Sequence, residues 1–479
     1  MRGRIGLNMV AGLCVALSLG SGAVAVVSGA DGGKPRPAGA AATPATPVFS
    51  LRRVAGAVSR TVAGGRLRED LDALLAQPLY AGAADDTCLA VRDPDGRPVY
   101  RRQMDKALIP ASNLKLLTAA VALAKIGADT RYVTPVRSPS PPSADGSVGD
   151  LWLVGSGDPL LATADFAAIA GWLERPRPAT SIEGLADRIV NAGVRRIGRL
   201  LGDESRYDTV RYLPTWEPNY ATDPDIGPQS ALQLNGGFVQ WRPRAIPQSA
   251  PATNGATVLA GLLRARGVTV GSVGEGRAPD NGVTVAQIES PPMADVVGVM
   301  LRDSDNLVAE LIVKELGARF GGAGTTAAGV AVERTAAQEL GLSGRPLVLT
   351  DGSGLDRGNR LSCEVVDAVL ARSGEDSPIG KGLSVAGAIG TLTRRFLNSP
   401  AAGKVKAKTG SLDGVTSLSG WATGRQGGDL QFAMLANGIP YESAGTALQN
   451  QLVNVLASYP KAPAPADIGP LPLRPPPTK

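Results

Sequence analysis

Apolar positions along this chain change their spacing several times, and each change marks an element. Residues 5–27 are uncharged and apolar, after Arg2 and Arg4. With the small-x-small stretch Ser28-Gly29-Ala30, they predict an export signal over residues 1–30. The run is also long enough to span a bilayer, so an uncleaved anchor is the second reading. Residues 31–65, rich in Ala, Pro, Gly and Thr, read as a linker. Helical spacing returns over residues 67–75. Alternation over 87–92 and 97–102, around Asp93-Pro94-Asp95-Gly96, predicts strand, turn, strand. An apolar run over 116–126, headed by Pro110-Ala111-Ser112-Asn113-Leu114-Lys115, predicts a helix with a serine and a lysine in its first turn.

Short strands and Pro/Gly/Ser loops then take over, with one helix predicted over 182–192. Residues 141–285 therefore read as a mostly-β insertion between two parts of another domain, 66–140 and 286–460. Helical spacing resumes over 291–300. In the next helix Leu307, Val308, Leu311, Ile312 and Leu316 share a face, with Gly317 placed to stop it. Residues 405–411, 415–423 and 430–437 predict an antiparallel set, and 450–457 a closing helix. Residues 461–479 are Pro-rich and read as a disordered tail. The fold class is thus α/β, an antiparallel sheet with flanking helices carrying the insertion.

Composition narrows the chemistry. The 479 residues include no histidine, which removes Ser–His–Asp and Cys–His catalysis and the commonest zinc ligand. Neither a metal nor a cofactor is expected. The net charge of +6 is spread along the chain without a basic block, so nucleic acid is a poor partner. Of three cysteines, Cys14 lies in the leader; whether Cys88 and Cys363 pair is left open.

Three short motifs stand in one order: Ser112-x-x-Lys115, Ser304-Asp305-Asn306 and Lys408-Thr409-Gly410. Alone, each has an ordinary explanation: a solvated helix face, a helix-capping sequence, a strand ending in a turn glycine. Ser458-Tyr459-Pro460-Lys461 repeats the first spacing in a Pro-rich stretch. Together, on elements suited to them and in a chain without histidine, they point to a serine nucleophile with a lysine base.

With Gly155-Ser156-Gly157-Asp158-Pro159, Asp351-Gly352-Ser353-Gly354-Leu355, Val385-Ala386-Gly387 and Ala407-Lys408-Thr409-Gly410-Ser411, the chain resembles the class C low-molecular-mass penicillin-binding proteins, serine D-Ala-D-Ala carboxypeptidases and endopeptidases. The resemblance covers about residues 66–458. It implies a transpeptidase/β-lactamase-like domain with extra domains inserted between the first two motifs. It implies substrates that are peptidoglycan stem peptides ending in D-Ala-D-Ala, covalent inhibition by β-lactams, and work outside the cytoplasm. By the same resemblance Ser112 attacks, Lys115 is its base, and Ser304 relays a proton between Lys115 and the leaving amine. Asn306 holds the substrate peptide group, and Lys408 with Thr409 binds the terminal carboxylate. Gly410 lets the substrate backbone approach, and the N–H groups of Ser112 and Ser411 form the oxyanion hole. Ser411 stands where relatives often carry threonine.

Two alternatives share these residues: a β-lactamase-like hydrolase, and an inactive peptidoglycan-binding scaffold. The first needs an efficient deacylating water, and no Glu-x-x-x-Asn stands in a plausible loop after Ser304. The second leaves unexplained why every reactive position is filled.

Overall fold

The computed structural model describes residues 46–471 except 48, 170–176, 223–224, 243 and 343–346. The predicted leader and the last eight residues lie outside this range. Residues 60–462 form one compact unit. Within the other, the Ser59 hydroxyl donates to the Pro463 carbonyl (2.7 Å) and the Leu471 N–H to the Thr46 hydroxyl (2.7 Å). Pro465–Ile468 makes one helical turn where the sequence reads as disordered tail.

In chain order the principal elements are helix α1 (Ala55–Leu75), strands β1 (Thr87–Arg92) and β2 (Pro98–Arg102), and helix α2 (Leu114–Lys125). The second module follows: β3 (Val133–Ser138), β4 (Ser147–Val154), α3 (Ile182–Asn191), β5 (Arg196–Asp203), α4 (Pro251–Ala265), β6 (Thr269–Glu275) and β7 (Val283–Glu289). Then come helices α5 (Met293–Arg302), α6 (Asn306–Phe320), α7 (Thr326–Glu339) and α8 (Cys363–Ser373). Strands β8 (Ser384–Val385), β9 (Val405–Leu412), β10 (Val415–Thr423) and β11 (Asp429–Asn437) and helix α9 (Glu442–Ala457) complete the chain.

A six-stranded, wholly antiparallel sheet, ordered β8-β9-β10-β11-β1-β2, forms the centre. Strand β1 shows why both its faces are covered. Cys88 and Ala90 enter one core with α2, α5, α6 and α8, while Leu89 and Val91 enter another with α1 and α9. Alternate side chains point to opposite faces, so a strand apolar on both faces from Cys88 to Val91 must be sandwiched.

Helix α1 corrects one reading: residues 55–65 are helical and not linker. Its glycines and alanines suggested flexibility, yet Ala63, Leu67, Leu71 and Leu74 are buried one turn after another in the second core. Gly317 does not stop α6, which ends at Phe320 before Gly321. Gly317 lies where α7 crosses; a Cβ there would sit 2.6 Å from the Ala323 carbonyl oxygen and 2.8 Å from the Gly329 nitrogen.

The second module has its own core and a mixed sheet, ordered β6-β5-β4-β3-β7, with β6·β5 and β5·β4 parallel. Its first and last strands, Val133–Ser138 and Val283–Glu289, begin and end outside the 141–285 limits read from the sequence. It also holds a helix the sequence reading missed, α4. Gly255, Gly261, Thr253 and Asn254 make that segment a poor helix former, and burial of Ala256, Leu259, Ala260 and Leu263 overrides the propensity.

Cys88 of β1 and Cys363 at the start of α8 form a disulfide across 275 residues of chain, answering the question the sequence left open. Closing so long a loop is expected to contribute roughly 2–5 kcal/mol. A Cys88→Ala/Cys363→Ala double variant should show that loss in urea unfolding, and the native protein should approach it on reduction.

Candidate active site

The site is built where α2, α6 and the edge of β9 converge. Ser112 does not lie in the first turn of the α-helix; it sits in a 3-10 turn, Ala111–Asn113, that precedes α2. Asn113 pins this turn to the sheet. Its side-chain amide donates to the Lys408 carbonyl (3.3 Å) and the Ser417 hydroxyl (2.6 Å), and Ser417 donates to the Pro110 carbonyl (2.9 Å). Ala111 and Ser304 both adopt left-handed backbone, with φ of 47° and 56°. Such conformations persist in non-glycine residues only where the surroundings over-determine them.

Gly410 faces the turn that carries Ser112, a packing reason for glycine that stands beside the role read for it from the sequence. A Cβ there would lie 2.2 Å from the Ser417 hydroxyl and 2.9 Å from the Ser112 nitrogen. Glycine is required because Ser112 is already against the strand, whatever a substrate does.

Lys115 is completely buried. Its Nζ donates to Asn306 Oδ1 (2.7 Å) and to the Ser353 carbonyl (2.6 Å), and lies 2.9 Å from Ser112 Oγ. Burial pulls its pKa down to about 8, against the opposing pull of Asp351, Glu310 and Asp305. Lys408, also completely buried, donates to Ser304 Oγ (2.7 Å) and the Thr409 carbonyl (2.8 Å). Burial and the neighbouring Lys115 push its pKa well below the ordinary lysine value, and Asp303 resists. Each serine thus has a lysine of its own: Ser304 is bonded to Lys408, where the sequence reading linked it to Lys115.

Asn306 turns its oxygen to Lys115 and donates its amide to the Asp225 carbonyl (2.8 Å). Asp305 caps α6 by accepting from Val308 N–H (3.0 Å) and pairs with Arg177 (2.6 Å). Burial raises its carboxyl, but Arg177 and the cap hold it below the usual range.

The loop 351–355 is the part that sequence reasoning undervalued. Asp351 accepts from Gly354 N–H (2.9 Å), Asp356 N–H (2.7 Å), Asn359 Nδ2 (2.8 Å) and Trp216 Nε1 (2.9 Å). Glu310 of α6 accepts from Gly352 and Ser353 N–H (3.0 and 2.8 Å). These bonds aim the Ser353 carbonyl at Lys115. A Glu four residues after Asn306 was the available signal; Trp216, from the second module, gave none.

Strand β9 is paired with β8 only at Ala407 and Lys406. Beyond Ala407 no strand covers that edge among the described residues, while β10 pairs the other edge through Leu412. Thr409, Gly410 and Ser411 lie along this open edge. No group of metal-ligating side chains is found among the described residues.

Two buried lysines, each hydrogen-bonded to a serine beside an open strand edge, have the parts of an acyl-transferring serine peptidase of the penicillin-binding class. The chain belongs to the D-Ala-D-Ala carboxypeptidase 3 (S13) family, whose model matches residues 67–249 and 242–459, and it is a serine-type D-Ala-D-Ala carboxypeptidase. It is 31% identical to the D-alanyl-D-alanine carboxypeptidase of Actinomadura sp. strain R39, over 90% of this chain and 92% of that protein. Its fold resembles that of penicillin-binding protein 4 (dacB) from Haemophilus influenzae: TM-score 0.67, 20% identity, 80% of this chain and 99% of that one. The same protein complexed with a β-lactam gives a TM-score of 0.59 at 18% identity, over 80% of this chain and 100% of that one.

Proposed function

We propose that Ser112 is the nucleophile and Lys115, as the neutral amine, its base. The count of protons around Lys115 carries this reading. A neutral amine has two N–H bonds and one lone pair. The Asn306 oxygen and the Ser353 carbonyl can only accept, so they take both N–H bonds and leave the lone pair for the Ser112 hydroxyl. With a pKa of about 8, roughly a tenth of Lys115 is neutral at pH 7, against about one part in three thousand for an ordinary lysine.

Ser112 then attacks the carbonyl between two D-alanines. The proton passes to Lys115, the ester forms on Ser112, and the C–N bond breaks to release D-alanine. Ser304, fed by Lys408, protonates the departing amine. The N–H groups of Ser112 and Ser411 take the oxyanion; one such donor is typically worth ~2.7–4 kcal/mol. Substrate lies along the open edge of β9 as an added strand, its carboxylate at Lys408 and Thr409 and its peptide group against Asn306. Water then adds to the ester, giving one proton to Lys408 through Ser304, while Lys115 returns its proton to the departing Ser112 oxygen; the shortened peptide leaves as its acid and both amines are restored. A β-lactam follows the same first step and stays as a slowly hydrolysed ester.

The substrate is peptidoglycan stem peptide, met outside the cytoplasm; a long-range disulfide suits an oxidising compartment. No helix among the described residues is long and apolar enough to cross a membrane. Residues 1–30, read as an export signal or anchor, lie outside the described residues. Cleavage of cross-links is a second activity of the same site, since the open β9 edge can take a longer leaving group.

Intact-mass analysis tests the reading. Benzylpenicillin should add one acyl group, mapped to the peptide carrying Ser112, and a D-Ala-D-Ala peptide should lose one D-alanine. Rapid penicillin turnover without a lasting adduct would make the protein a β-lactamase. Neither adduct nor D-alanine release would leave an inactive scaffold.

A further inference from the structure

Beside the carboxylate end of the cleft runs a chain of hydroxyls that the three motifs do not include. Thr409 Oγ1 is 2.8 Å from Thr391 Oγ1, and Thr391 Oγ1 is 3.1 Å from Ser384 Oγ. Ser384 Oγ in turn is 2.8 Å from the Arg302 carbonyl and accepts the Thr391 N–H at 3.1 Å. Ser384 is completely buried, while Thr391 is exposed and Thr409 half-buried. The turn at Gly390 (φ 74°) makes this possible, because a Cβ there would fall 2.3 Å from Ser384 Oγ.

The buried end fixes which way the chain can run. A carbonyl only accepts, so Ser384 must give its one proton to Arg302. Towards Thr391 it can therefore only accept. With no substrate bound, Thr391 donates to Ser384, and Thr409 donates to Thr391, away from the cleft. A carboxylate is also a pure acceptor. When it arrives, Thr409 turns its proton to the carboxylate and Thr391 turns its own to Thr409. Ser384 keeps the Thr391 N–H throughout, so no buried group loses its last partner. Two hydroxyl rotations convert the chain from one satisfied arrangement to another, and the aligned bonds polarise one another.

We propose that Thr391 is a positioning residue for recognition of the substrate's terminal carboxylate, acting through Thr409 by the hydrogen bond it donates once the carboxylate is bound. This rests on the reading that Thr409 binds that carboxylate. It places the device in substrate affinity, because the carboxylate is bound equally before and during attack at the neighbouring carbonyl.

The test compares a peptide ending in D-Ala-D-Ala with its C-terminal amide, the acid by its KM and the amide by its Ki as a competitor. Thr391→Val, which keeps shape and removes the hydroxyl, should raise KM for the acid about tenfold. It should leave kcat within about twofold and the amide's Ki unchanged. Thr391→Ser should restore the acid's KM. Equal losses for acid and amide, a fall confined to kcat, or no change would overturn the proposal. Thr409→Val separates the two levels. If it leaves the preference for acid over amide intact, the carboxylate assignment itself is wrong. If it abolishes the preference while Thr391→Val does not, only the role of Thr391 falls.

Discussion

Lys115→Met is expected to slow acylation by penicillin about a thousandfold or more while the protein stays folded. Methionine fills similar space and has no lone pair on nitrogen to receive the Ser112 proton; general bases contribute typically 10²–10⁴-fold. Lys115→Arg should fail equally, since a guanidinium remains protonated. The native rate should depend on pH in a definite direction. As the proposed base Lys115 would act only when neutral, and its pKa is lowered to about 8. The acylation rate should thus rise as pH increases through about 8 and then level off, provided Lys408 and Ser304 are unchanged over that range. Stopped-flow acylation between pH 6 and 10 measures this. A Lys115→Met enzyme that acylates at the native rate, with the native pH profile, removes Lys115 from the mechanism.

Asp351→Ala should be the most damaging change outside the reacting groups. It strands four buried donors: Gly354 N–H, Asp356 N–H, Asn359 Nδ2 and Trp216 Nε1. At about 1–3 kcal/mol for each unsatisfied group, the loss is on the order of 4 kcal/mol or more, a large part of a typical folding free energy. The melting temperature should fall by roughly 5 °C or more. Acylation should fall as well, because the Ser353 carbonyl that takes one Lys115 proton is carried by this loop. Asp351→Asn should rescue little, since its NH₂ would face donors. A variant that melts and acylates like the native protein would show that the loop is held by something else.

The legible parts of the molecule share one property: their signal is local. Ser112 and Lys115 stand three residues apart at the head of an apolar run. Strands β9, β10 and β11 alternate or run apolar between clear turns. The parts that were missed depend on distant partners. Helix α4 reads as loop until its alanines and leucines meet the sheet of the second module. The linker reading of residues 55–65 failed for the same reason at Ala63. Trp216 meets Asp351 across 135 residues, and no pattern near either position announces the bond.

Sequence by itself pointed to the candidate reacting groups: no histidine, and two serines and two lysines in three short motifs. Covalent identity and local spacing need no fold to be read. Tertiary structure alone decided which amine is hydrogen-bonded to which serine, that burial lowers each lysine's pKa, and why residue 410 packs best as glycine. Lys115 meets Asn306 and Ser353 across 191 and 238 residues. Desolvation and hydrogen-bond direction arise only when such distant segments exclude water together.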